Sequence, residues 1–155
     1  MRKAIARHHK DVKPTAEFVG YVGSLHRAIH SIGLFLESAL EGRLSQPEAM
    51  VLLHLWGNPD STINDVHRAF LHRRSTLTSV LDRLESKQIL ERTISKDDRR
   101  NFVLKLTKSG RELAARVAES LVTLENSVNA RKAECASAWR LLEKTALEAA
   151  ELVGE

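Results

Sequence analysis

Apolar residues from Glu17 to about Leu40 fall at Phe18, Val22, Leu25, Ile29, Ile32, Leu36 and Ala39, in steps of three and four, which predicts a long amphipathic helix. After Gly42, Ser45 and Glu48 have the S-x-x-E spacing of a capping box with Pro47 in the first turn. The nearly all-apolar run Ala49 to Trp56 then predicts a buried second helix, stopped by Gly57-Asn58-Pro59-Asp60. Thr62 is placed to cap a short third helix with Ile63, Val66 and Phe70 inward and Asp65 at its positive end. His72-Arg73-Arg74 makes a tight link, and Ser75 opens a fourth helix whose inner stripe is Leu77, Val80, Leu81 and Leu84. Its outer side carries Thr76, Thr78, Ser79, Asp82 and Arg83.

From Ile89 the period becomes two. Leu90, Arg92 and Ile94 alternate on one arm, and Phe102, Leu104 and Leu106 mark one face of another, which predicts a β-hairpin. The connection Ser95-Lys96-Asp97-Asp98-Arg99-Arg100-Asn101 gives it a charged tip. Thr107 caps a long helix striped by Leu113, Val117, Leu121, Leu124 and Val128. A last helix, from about Ala133 to Leu152, turns Trp139, Leu142, Ala146 and Ala149 or Ala150 inward.

The 155 residues fit one domain, with the N-terminal helix (14–42) and the C-terminal helices (108–155) flanking a central module (44–107). Hydrophobic residues at 43% and charged residues at 28%, with no long apolar run, exclude collagenous, disordered and membrane-spanning classes. The basic N-terminus lacks an apolar stretch and a cleavage site, so a cytoplasmic location is expected. Charge is segregated. Residues 62–111 hold twelve Lys/Arg against six Asp/Glu, whereas 14–60 hold two against five and 112–155 five against eight. A basic centre between acidic flanks suggests a module that meets a polyanion.

Two short helices joined by a tight turn, then a hairpin with a charged tip, are the parts of a winged helix-turn-helix, whose second short helix enters a major groove. The fold expected is mainly α with a small β-hairpin wing. The candidate DNA contacts are Arg73, Arg74, Ser75, Thr76, Thr78, Ser79 and Arg83 on or beside that helix, and Asp98, Arg99 and Arg100 at the wing tip. The stripes of the flanking helices exceed what so small a core can cover, so a homodimer is expected, addressing pseudo-palindromic half-sites.

At these residues the chain resembles the MarR family of bacterial transcriptional regulators. The resemblance runs from about Leu44 to Leu113. It includes Leu44, Ser45 and Glu48, the run Ser75 to Glu85, the segment Asp97-Asp98-Arg99-Arg100, and Leu106-Thr107-x-x-Gly110. It implies a sequence-specific duplex-binding regulator, in the manner of a repressor, built as an interlocked dimer. It further implies that Asp98 orients Arg100 for the minor groove. Two positions depart from the family pattern. Ser79 stands where a basic residue is common, and Gln88 stands where a glycine ends the recognition helix, so a left-handed backbone must there be adopted by a residue with a side chain.

No G-x-S-x-G, phosphate-binding glycine loop or acid/base pair tied to a nucleophile is present, so no catalytic residue, enzyme activity or cofactor is expected. Among seven histidines, His26 and His30 share a helix face at i, i+4, with His54 or Glu37 as further donors, but no third ligand has a convincing spacing. No metal site is assigned, and a metal-responsive regulator using His26 and His30 stays an alternative. A winged-helix protein-interaction module is another. The lone Cys135 reads as a buried thiol. The sequence leaves open whether a small-molecule effector releases the protein from DNA; Phe18, Tyr21 and Trp56 are its candidate contacts, against plain core packing.

Overall fold

The computed structural model describes residues 20–70, 74–94, 102–128 and 132–153. Helix α1 spans Gly20–Ala39, α2 Gln46–Gly57, α3 Ile63–Phe70 and α4 Arg74–Ser86. Strands β1 (Leu90–Ile94) and β2 (Phe102–Leu106) follow, then α5 (Lys108–Ser127) and α6 (Lys132–Val153). The chain divides into two compact units within α1, between Phe35 and Leu36.

In the first unit α1 leaves Tyr21, Val22, Ile29 and Leu34 exposed. The expected inner stripe is thus not buried at Val22 and Ile29. Phe18 lies outside the described residues.

In the second unit α2 packs against α5 and β2, α4 against α2 and β1, and α3 against β2. Leu36, Leu44, Leu52, Leu77, Leu81, Leu84, Leu90, Leu104 and Leu113 are the large side chains of this core. Helix starts follow local chemistry. The Ser45 amide and hydroxyl both donate to the Glu48 carboxylate, at 2.7 and 3.0 Å, and Pro47 needs no acceptor in the first turn. Thr62 is closed the same way: its amide and hydroxyl donate to Asp65 at 2.9 and 2.7 Å, and its oxygen accepts from the Asp65 amide at 3.2 Å. These bonds hold the Asp65 carboxyl below its ordinary range. The Asn58 amide returns to the His54 carbonyl at 2.9 Å, and Asp60 turns the chain with φ +65.

The hairpin is antiparallel, in the register Leu90↔Leu106, Arg92↔Leu104 and Ile94↔Phe102, and Thr62 adds an isolated bridge to Val103. Leu104 and Leu106 face the core as expected. Phe102 does not, being 48% exposed beside Ile94 at 62%, because this rung lies beyond the edge of the core.

On α5, Leu113 and Val117 are buried, Leu121 and Leu124 half-buried and Val128 exposed. On α6, Leu142, Ala146 and Ala149 are exposed rather than inward. The side chains of Cys135, Trp139 and Ala150 lie outside the described residues. No described helix is long and apolar enough to cross a membrane.

Candidate nucleic-acid interface

Helix α4 sorts its residues by period alone. Leu77, Val80, Leu81 and Leu84 are at most 1% exposed, while Ser75, Thr76, Thr78, Ser79, Asp82 and Arg83 are all exposed. The outer face therefore presents short hydroxylic side chains of the kind that approach base edges and phosphates closely. The Ser79 hydroxyl is committed as a donor to the Ser75 carbonyl at 3.0 Å, leaving its oxygen to accept. Arg73, the side chain of Arg74, and Asp98, Arg99 and Arg100 lie outside the described residues.

Arg83 has an internal partner that sequence reasoning did not supply. Its Nε donates to Glu48 Oε1 at 3.1 Å, and Lys87 Nζ donates to both Glu48 oxygens at 3.0 Å and to the Arg43 carbonyl at 3.0 Å. The Glu48 side chain is 2% exposed, so one buried carboxylate of α2 holds two cations from the end of α4. Burial alone would push that carboxyl up. The bonds from the Ser45 amide, Lys87, the Ser45 hydroxyl and Arg83 outweigh it and hold Glu48 below the ordinary 4.5. The S-x-x-E signal located the cap but carried nothing about partners 35 and 39 residues away.

A second tie joins wing to helix. Arg92 of β1 donates through Nη2 to Asp82 Oδ1, and its Nε lies 3.6 Å from Glu85 Oε2. Both carboxylates belong to α4, and Asp82 lies on its outer face, so Arg92 neutralises them and sets the inclination of hairpin to helix. Alternation had marked Arg92 only as a strand residue.

The third tie is made of backbone. Gln88 adopts φ +58, the left-handed conformation expected where glycine is common, and its amide returns to the Glu85 carbonyl at 2.9 Å. The Ile89 amide reaches the Leu84 carbonyl at 3.0 Å. The Thr107 amide then donates to the Ile89 carbonyl at 3.1 Å, and the Thr107 hydroxyl to the Gln88 carbonyl at 2.8 Å. The Thr107 oxygen also accepts from the Gly110 amide at 3.0 Å, capping α5. A Cβ on Gly110 would stand 2.1 Å from the Ile89 carbonyl oxygen. Only glycine lets the first turn of α5 approach the end of the α4 segment this closely.

A model of the MarR family matches residues 44–102. The PcaV transcriptional regulator of Streptomyces coelicolor, solved with its natural ligand, is 21% identical over 88% of this chain and 99% of its own, with a TM-score of 0.73. BpsR of Bordetella bronchiseptica, whose DNA binding is regulated by 6-hydroxynicotinic acid, is 23% identical over 86% of this chain and 98% of its own, with a TM-score of 0.69. MepR of Staphylococcus aureus, solved with DNA, is 22% identical over 82% of this chain and 96% of its own, with a TM-score of 0.69. At such identities the likeness shows a shared fold, the winged helix-turn-helix with long flanking helices. No curated protein sequence matches.

Trp56, 46% exposed at the end of α2, lines a cleft of about 240 Å³ with Pro59, Lys105, Leu106 and Arg111. Tyr21 is exposed in the first unit. His26 and His30 are exposed on α1, His54 packs edge-on against Phe70 at 5.4 Å, and among the described residues no group of three metal-ligating side chains converges.

Proposed function

We propose that this chain is a sequence-specific regulator of transcription that binds double-stranded DNA as a homodimer, in the manner of a repressor. It acts in the cytoplasm, by binding rather than by catalysis. The observation that carries the reading is the hydroxylic outer face of α4 over a fully buried stripe, with the wing tied to that helix through Arg92. Ser75, Thr76, Thr78 and Ser79 face the major groove. Arg73, Arg74, Arg99 and Arg100 supply phosphate and minor-groove contacts, with Asp98 orienting Arg100. Arg83 works from its tether on Glu48, so its reach to DNA is limited to the guanidinium edge that Glu48 leaves free. The second copy is supported by apolar side chains this chain leaves uncovered: Val22 and Ile29 on α1, Val128 closing α5, and Leu141, Leu142 and Leu147 on α6. DNA and ligand complexes among the fold relatives support regulation by a small molecule, for which the Trp56 cleft offers a place.

Selection of genomic fragments by the purified protein, followed by a salt titration of the selected duplex, tests this. The expected result is a steep fall of log K with log salt, reduced by about one per protomer in Arg100→Ala. Light scattering should report twice the chain mass. A monomer with full affinity refutes the dimer, and salt-independent or absent duplex binding refutes the DNA reading in favour of a protein-interaction module.

A further inference from the structure

The outermost rung of the wing is apolar and uncovered. Ile94 and Phe102 are partners in the β1–β2 register and are 62% and 48% exposed. Because side chains alternate along a strand, they share a face with Leu90, Arg92, Leu104 and Leu106. That face looks toward α4, since Arg92 upon it reaches Asp82 and Glu85. One rung beyond Arg92 the core has ended, and two large hydrophobic side chains overhang beside the outer side of the recognition helix.

We propose that Ile94 and Phe102 form an apolar contact surface for the deoxyribose edges of the duplex groove beside the one that α4 enters. This rests on the DNA-binding reading and adds to it a contact that is neither ionic nor base-specific. Sugar C–H groups are what a sec-butyl side chain and a phenyl ring meet on approaching a groove from the side, and minor-groove-binding proteins frequently bring apolar Phe, Leu or Ile side chains into that groove.

Two observations favour DNA over a protein as the occupant. Within the second unit the other exposed large hydrophobics lie at the end of α2 or along and after α5 and α6, so the hairpin itself offers only two such side chains. A stable protein interface buries about 1,000 Å² or more. The pair also flanks, in sequence, a connection carrying Lys96, Arg99 and Arg100, and Arg92 on the same strand face reaches the outer face of α4 at Asp82. That composition suits phosphates on either side of a sugar, not an apolar protein surface.

The test uses the full-length protein, a labelled random-sequence duplex of about 30 base pairs, and a salt series of about 50–300 mM. Ile94→Thr and Phe102→Thr place β-branched polar side chains suited to a strand, and Phe102→Leu restores apolar bulk. The expected result for the double threonine variant is an affinity about tenfold lower at every salt concentration, with log K against log salt parallel to the wild-type line. Phe102→Leu should recover most of the loss. Circular dichroism and light scattering of each variant should match the wild type. Unchanged affinity in the double variant overturns the proposal. A changed salt slope overturns it as well, because the rung would then act through its charged neighbours. A changed mass by light scattering would assign the pair to a protein contact instead. Wild-type protein that binds no duplex at low salt would overturn the DNA reading itself, and this proposal with it.

Discussion

Replacing Glu48 by glutamine keeps the shape of the side chain and removes its charge. The carboxylate accepts from two groups of Ser45 and from Arg83 and Lys87 at 2.7 to 3.1 Å while only 2% exposed. An amide there would retain one acceptor oxygen and turn an NH₂ group toward donors. A hydrogen bond to a buried charge contributes about 1.5–3 kcal/mol, but Arg83 and Lys87 are 51% and 38% exposed and stay largely hydrated, so the lower end applies to each. The loss should be about 2–3 kcal/mol, a drop in Tm of about 4–12 °C for a chain of this length. The assay is thermal unfolding of both proteins at one fixed concentration, since dimerisation would couple Tm to concentration.

The pH dependence gives this prediction its sign. The folded carboxyl lies below its ordinary 4.5, so its contribution is complete above that value and is lost as pH falls through the lower folded one. The difference between wild type and Glu48→Gln should therefore be full at neutral pH, persist down to about pH 4.5, and vanish in stronger acid as the native carboxyl takes up its proton. Equal stability at neutral pH, or a gap that survives unchanged in acid, would refute the claim that the charge of Glu48 holds α2 to α4.

Gly110→Ala should cost about 3 kcal/mol or more, because the new methyl meets a carbonyl oxygen of the backbone rather than a side chain able to turn away; a denaturant midpoint within error of wild type would contradict the close approach. Gln88→Gly should stabilise by about 0.5–1 kcal/mol in the same measurement, since glycine adopts φ +58 without strain, and a loss would show that the Gln88 side chain contributes more than its backbone costs. Arg92→Ala leaves Asp82 and Glu85 uncompensated beside a polyanion and should weaken duplex binding by about tenfold at low salt. Adding Asp82→Asn and Glu85→Gln should return most of that affinity in an anisotropy titration; no recovery would mean that geometry rather than charge had been lost.

What could be read from the chain depended on how local its cause was. The α4 stripe follows from helical period, and all four of its predicted inner residues are buried. The caps at Ser45, Thr62 and Thr107 follow from side chains three residues from their partners. The left-handed turn at Gln88 was legible as a position that needed glycine and lacked it. The stripes of α1 and α6 named a face correctly as apolar but not what covers it, which is why Val22, Ile29 and Leu142 are exposed in the single chain. Alternation along the hairpin gave the shared face of Phe102, Leu104 and Leu106 without showing where the core stops. The tie from Arg83 to Glu48 left no sign in the sequence, because an exposed cation on that helix does not announce an acid 35 residues away and the tie exists only once α2 and α4 are packed.

The junction between the recognition-helix segment and α5 behaves as a coupling without slack. Side chains at a joint can rotate and absorb motion, but here the mating parts are the Thr107 amide on the Ile89 carbonyl and the bare Cα of Gly110 beneath it. Neither can yield by more than a few tenths of an ångström without breaking the hydrogen bond or colliding. A tilt imposed on α5 from its far end, where Val122 and Val128 are uncovered, must therefore arrive at the root of the wing as a tilt of nearly the same size. In the homodimer proposed above, the separation between the two copies of α4 would then be governed by how the long helices lean on each other, and a modest change in that lean would put both out of step with the pitch of the duplex.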